Sequence, residues 1–182
     1  MRKLCLVLML SLAASAADMR SVDVDYRDGR YFLRSDAWFD AELEALYAVF
    51  LDYDLSTQFS GAIAESRNLE PAADGRPRFY IRNEGCVLFF CRSFERYGIV
   101  DHEPYEYIQA TIDPETSDFL LSDERWEFER EAGGTLVTYS IEFEPKFWVP
   151  PLIGPYVILH KLRDRGGDAL DRIEVIAQER GQ

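Results

Sequence analysis

Two histidines, three cysteines and a surplus of carboxylates are the side chains here whose types can do chemistry. His102 lies in Val100-Asp101-His102-Glu103-Pro104, where an Asp and a Glu beside a His would suit a metal ion. Adjacent residues on an extended chain point to opposite sides, however, and no second His is near in sequence. The segment therefore reads as a solvated turn between strands, and no metal site is expected. His160 falls in the last helical segment and reads first as structural or solvent-facing, with a polar ligand contact or general-base work as the alternatives. No Gly-x-Ser-x-Gly elbow, Gly-rich phosphate loop or His-Glu-x-x-His helix occurs. Cys86 and Cys91 have no motif-linked His, so a catalytic thiol is not expected either. Carboxylates such as Asp123-Glu124 and Glu127-x-Glu129 alternate with apolar residues and read as a wet sheet face. No catalytic residue and no cofactor are assigned.

Aromatic side chains are the remaining signal. They make up 14% of 182 residues, too many for a disordered chain. Phe59, Phe79, Phe94, Trp126, Tyr139, Trp148 and Tyr156 are candidates for an inner surface, either an ordinary packed core or a pocket with a few polar tips. The length suits one domain. A formal charge of −13 argues against a nucleic-acid partner and disfavours electrostatic docking on anionic lipid.

The elements that must position these residues begin after an address. Met1-Arg2-Lys3 is a positive start, Leu4 to Leu12 is apolar apart from Ser11, and Ala13 to Ala17 are small. This is the three-part pattern of a cleaved signal peptide over residues 1–17, with the cut after Ala16 or Ala17. The apolar stretch is far shorter than the ~20 residues that span a bilayer. The expectation is a single domain over residues 18–182, periplasmic or secreted, with a net charge of −15 once Arg2 and Lys3 are gone. Cys86 and Cys91 then sit in an oxidising compartment.

Val22, Val24 and Tyr26 alternate with acidic residues as a strand, Asp28-Gly29 is a hairpin turn, and Arg30 to Phe39 returns. Asp40 resembles an N-cap for a helix whose buried face is Leu43, Leu46, Tyr47 and Phe50. Asp52-Tyr53-Asp54 ends it, and a short helical turn covers Leu55 to Phe59. Strands are then predicted over Ala62–Leu69, Arg78–Asn83, Arg92–Val100, Tyr105–Ile112, Phe119–Arg130 and Thr135–Glu144. Their alternation describes an antiparallel sheet with one wet face. From Tyr156 to about Arg180 the pattern is helical, with a bend or break at Gly166-Gly167.

This order, with Asp52-Tyr53 and Phe59 after the first helix, Trp126-x-Phe128 in a late strand and Pro150-Pro151 before the last helix, resembles the SRPBCC superfamily. That group includes START-type lipid-binding domains, polyketide cyclase/dehydratase-like proteins and coenzyme-Q-binding-protein-like members. The resemblance runs from about Val22 to Gln178. It implies an α+β helix-grip fold, a curved antiparallel sheet of six to eight strands around a long C-terminal helix, enclosing an elongated apolar cavity. His160 would then face that cavity or its rim. The family order also places a hairpin at Val87-Leu88-Phe89-Phe90. A disulfide between Cys86 and Cys91 needs a turn there, since a straight strand would hold them ~16 Å apart; two small buried strand residues are the alternative.

The function implied is an exported, monomeric binding protein. Its partner is a hydrophobic small molecule (lipid, quinone or polyketide-like), with Tyr139, Tyr156 or His160 supplying a polar contact. An enzyme of cyclase/dehydratase or hydrolase type using the same cavity is a second reading, and an interaction module with a vestigial cavity a third. The apolar segments 87–90 and 148–155 would rim one end and allow transient membrane contact.

Overall fold

The computed structural model describes residues 17–87, 90–150, 153–164 and 166–181. The proposed signal segment lies outside these residues but for Ala17, as do residues 88–89 of the 87–90 tip and residues 151–152.

Eight strands form one antiparallel sheet: β1 Asp18–Arg27, β2 Arg30–Phe39, β3 Ile63–Leu69, β4 Arg78–Val87, β5 Phe90–Glu103, β6 Tyr107–Ile112, β7 Phe119–Glu131 and β8 Gly134–Pro145. Their spatial order is β1-β2-β8-β7-β6-β5-β4-β3, so β3 to β8 meander and the first hairpin closes onto the last strand. Asp28 and Gly29 both have positive φ, 53° and 86°, the conformation a tight two-residue hairpin requires. Along β2 the buried positions are Tyr31, Leu33, Ser35, Ala37 and Phe39, every second residue, which fixes one face of the sheet inward.

Helix α1, Leu43–Leu51, buries Leu43, Leu46, Tyr47 and Val49. A 3-10 turn at Tyr53–Leu55 and a short helix α2, Ser56–Phe59, lead into β3. The C-terminal segment forms two helices, α3 Gly154–Asp164 and α4 Gly166–Arg180, with the junction beside the glycine pair. This is the α+β helix-grip arrangement, with the C-terminal helices set against a curved sheet.

Two local expectations need correction. Asp40 does not cap α1, whose N-cap is Glu42 with no side-chain bond. Instead the Asp40 backbone N–H donates to Glu174 at 2.7 Å, and its carbonyl accepts from Gln178 at 2.7 Å. Asp40 thus ties the end of β2 to α4. His102 is not in a loop but near the end of β5, where its Nδ1 hydrogen-bonds the Tyr47 hydroxyl. The chain stays extended through Glu103 because the β5–β6 connection is tight, with Tyr105 at φ 67°.

Candidate ligand-binding site

A cavity of about 830 Å³ lies between the inner face of the sheet and the helices. The two-residue period supplies its wall. On β7, Ser122, Glu124 and Trp126 point inward; on β8, Val137, Tyr139, Ile141 and Phe143 do. Leu33, Ser35 and Ala37 come from β2, Ile81 and Asn83 from β4, and Phe94 and Arg96 from β5. Helices roof it with Ile158 and Leu162 of α3 and Leu170 and Ile173 of α4.

Aromatic clusters bracket the space. Phe50 meets Trp126 at 5.9 Å and Phe128 at 5.7 Å between ring centroids. Nine residues back along β7, Phe119 meets Phe143 and Phe147 at 5.9 and 5.7 Å, and Phe94 stacks on Phe147. Trp126 and Tyr139 are directly opposed across β7 and β8, with rings 5.2 Å apart.

Phe59, Phe94, Trp126, Tyr139 and Trp148 all line the cavity. Phe79 does not; it has inward parity on β4 but only 2% of its surface is exposed. The Tyr53 ring stacks over it at 4.6 Å. Gly98 lies so near that an added Cβ would sit 2.7 Å from the Phe79 ring. Phe79 is therefore packed core. Tyr156 and His160 are exposed on α3. The helical period explains this. Ile158, Lys161 and Leu162 form the stripe that faces the cavity, and residues 156 and 160 fall on the opposite side of the helix.

Cys86 and Cys91 are directly opposed across β4 and β5 and joined by a disulfide. Both line the cavity, and Lys161 of α3 donates to the Cys86 carbonyl, which ties α3 to this end of the sheet. Trp148, 71% exposed, borders the same cavity, and Ile153 is also exposed.

Sequence reasoning missed the principal polar feature. The Arg96 guanidinium and the Glu124 carboxylate form an ion pair whose side chains are only 12% and 11% exposed. The Tyr139 hydroxyl donates to the other Glu124 oxygen at 3.4 Å. Burial pulls the Arg96 guanidinium below its ordinary pKa and pushes the Tyr53 and Tyr139 hydroxyls up. Reading Asp123-Glu124 together as wet face is thus corrected for Glu124. Asp123 accepts from Gln109 at the sheet surface, while Glu124 shares the inward parity of Trp126 and Phe128. The available signal was a charge at inward parity in two strands, Phe94-x-Arg96-x-Gly98 and Ser122-x-Glu124-x-Trp126. Three buried polar atoms on lining residues have no hydrogen-bond partner among the described residues: the Tyr53 hydroxyl, Arg96 Nε and Asn83 Oδ1. Among the described residues no group of three His, Cys, Asp or Glu side chains is placed to hold a metal ion.

No family model and no curated protein matches the chain in sequence. Solved structures do match in fold. A STAR-related lipid transfer protein from Xanthomonas axonopodis superposes with a TM-score of 0.66 at 14% identity, over 90% of this chain and 99% of that one. A START superfamily protein from Mycobacterium smegmatis gives 0.61 at 17% identity, over 81% and 97%. The Zhui aromatase/cyclase from a Streptomyces species gives 0.62 at 12% identity, over 84% and 96%.

Proposed function

On the START-like helix-grip fold that this chain adopts, we propose an exported protein that binds a hydrophobic small molecule of lipid, quinone or polyketide-like kind. The observation that carries this reading is the cavity of about 830 Å³ walled by alternate inward side chains of the sheet. Burial supplies the affinity, at roughly 25 cal/mol per Å² of apolar surface removed from water. The structural neighbours named as a lipid transfer protein and an aromatase/cyclase support a cavity used for apolar molecules. Trp148 and Ile153, exposed near the cavity, offer a transient contact with a membrane surface through which such a molecule can pass. Native mass spectrometry of the protein purified from its own host tests the reading. A discrete adduct lost on organic extraction is expected; an adduct-free chain that also takes up no added lipid would favour a vestigial cavity.

Export rests on the charged start, apolar stretch and small-residue exit of residues 1–17. The same host-purified protein should have an intact mass that begins at Ala17 or Asp18 and is two hydrogens short of the fully reduced form. The missing hydrogens report the Cys86–Cys91 bond. A chain still starting at Met1, or one with two free thiols, would contradict the export and the oxidised state respectively.

A further inference from the structure

The charge of the cavity lining runs against that of the whole chain. Over the sequence, acidic side chains outnumber basic ones by 33 to 20. Among the described residues, the lining carries four basic side chains, Arg92, Arg96, Lys161 and Arg163, and only two acidic ones, Glu84 and Glu124. Arg96 and Glu124 neutralise each other, and Glu84 is paired with Arg82. Three cations are left over. Resting on the proposed binding role, we infer that Arg92 of β5, with Lys161 and Arg163 of α3, receives the anionic headgroup, a carboxylate or phosphate, of an amphiphile whose apolar body lies along the cavity.

Two elements bring these cations to one end of the space. Arg92 shares the inward parity of Phe94 and Arg96 on β5, and it is directly opposed to Gly85 on β4, beside the Cys86–Cys91 bridge. Lys161 donates to the Cys86 carbonyl, which sets its ammonium at the same bridge and leaves two of its three N–H groups for a ligand. Arg163 lines the cavity from the same helix. The Arg92 guanidinium lies over the Phe147 ring at 5.4 Å, so an apolar floor supports it. Among the described residues, neither Arg92 nor Arg163 has an ion pair or a hydrogen bond.

Charge and shape then name the ligand class. Lysine and arginine side chains only donate, so their complement is an acceptor. A planar guanidinium matches carboxylate or phosphate through two parallel bonds, which a single hydroxyl does not offer. An ammonium head would meet three like charges. The far end of the cavity is dry: Phe50 meets Trp126 and Phe128 there. Phe119 packs on Phe147 at the cationic end, and β7 runs about 23 Å from Phe119 to Trp126. The cavity therefore has a cationic end and an apolar end, the polarity of an amphiphile.

Four probes of equal chain length test this: palmitic acid, hexadecyl phosphate, cetyl alcohol and hexadecylamine, each delivered from cyclodextrin to the mature protein at neutral pH. Occupancy is read by native mass spectrometry. At least one anion should be retained about tenfold over the alcohol and the amine, the size of one charge-assisted hydrogen bond, and which anion it is identifies the headgroup. High salt during loading should shrink the margin, because Arg92 and Arg163 are exposed. The variant Arg92→Gln/Arg163→Gln should bring the anion down to the level of the alcohol. Equal retention of all four by the wild type would leave cavity binding standing and overturn the headgroup site. A margin that survives in the double variant, or that high salt does not touch, would overturn it too. Flotation with phosphatidylcholine vesicles, with and without phosphatidylglycerol, separates a ligand headgroup from a bilayer surface. Equal partitioning is expected; binding to the anionic vesicles alone, with no margin among the four probes, would make the cations a membrane contact and overturn the site. Retention of none of the four would overturn the site and the binding role together.

Discussion

Replacing Glu124 with Leu while Arg96 stays in place is expected to destabilise the fold by about 3–5 kcal/mol. The Glu124 and Arg96 side chains are only 11% and 12% exposed, so the single change leaves an uncompensated charge out of water. Arg96→Met should cost a similar amount, because it strands the carboxylate. Changing both together should be far milder: replacing a whole buried pair with apolar side chains of similar volume is often neutral or stabilising by about 1–4 kcal/mol. The prediction is therefore a strong positive coupling, read from urea unfolding of wild type, the two single variants and the double variant. Single losses under about 1 kcal/mol that simply add would mean that the pair is solvated, as exposed ion pairs are.

Phe79 and Trp126 should separate packing from binding. Phe79 is 2% exposed, stacked under Tyr53 and wedged against Gly98. Phe79→Ala should cost about 3–5 kcal/mol, the range for truncating a packed aromatic. Trp126 stacks on Tyr139 and meets Phe50 but also lines the cavity, so part of its packing is already missing. Trp126→Ala should cost under about 2 kcal/mol, because it enlarges an existing space rather than opening a new one. Retention of an apolar ligand should respond in the opposite order, lost with Trp126→Ala and kept by whatever fraction of Phe79→Ala remains folded. Urea unfolding and native mass spectrometry on both variants give the two rankings. Equal losses of stability would mean that Trp126 is core and that the wall has been placed wrongly.

What was legible in the sequence was periodic. The alternation around Trp126 and around Val137 to Phe143 gave β7 and β8, and Asp28-Gly29 gave the first hairpin. The order of elements then sufficed for the fold. The features that were not legible share a cause: their partners come from remote segments. Glu124 reads as a solvated charge because only its placement opposite Arg96, on strands separated by β6, shows each to be the other's counter-ion. Phe79 looked like a wall residue because nothing local indicates that the Tyr53 turn will cover it. Tyr156 is grouped with the cavity by its aromatic type and His160 by the resemblance. Their helical phase relative to Leu162 already placed them on the other side of α3. Asp40 had the right residue type for a cap, but Glu174 and Gln178 of α4 claim its backbone. Tertiary contacts outweigh a local cap worth about 1 kcal/mol.

The central claim is that the space under the C-terminal helices is a ligand site. The most direct measurement is a crystal structure of the mature protein purified from its own host without added lipid. Continuous elongated density between Trp126 and Phe143 is the expected result. A cavity closed by inward movement of α3, with the Phe94 and Trp126 rings filling it, would contradict the account.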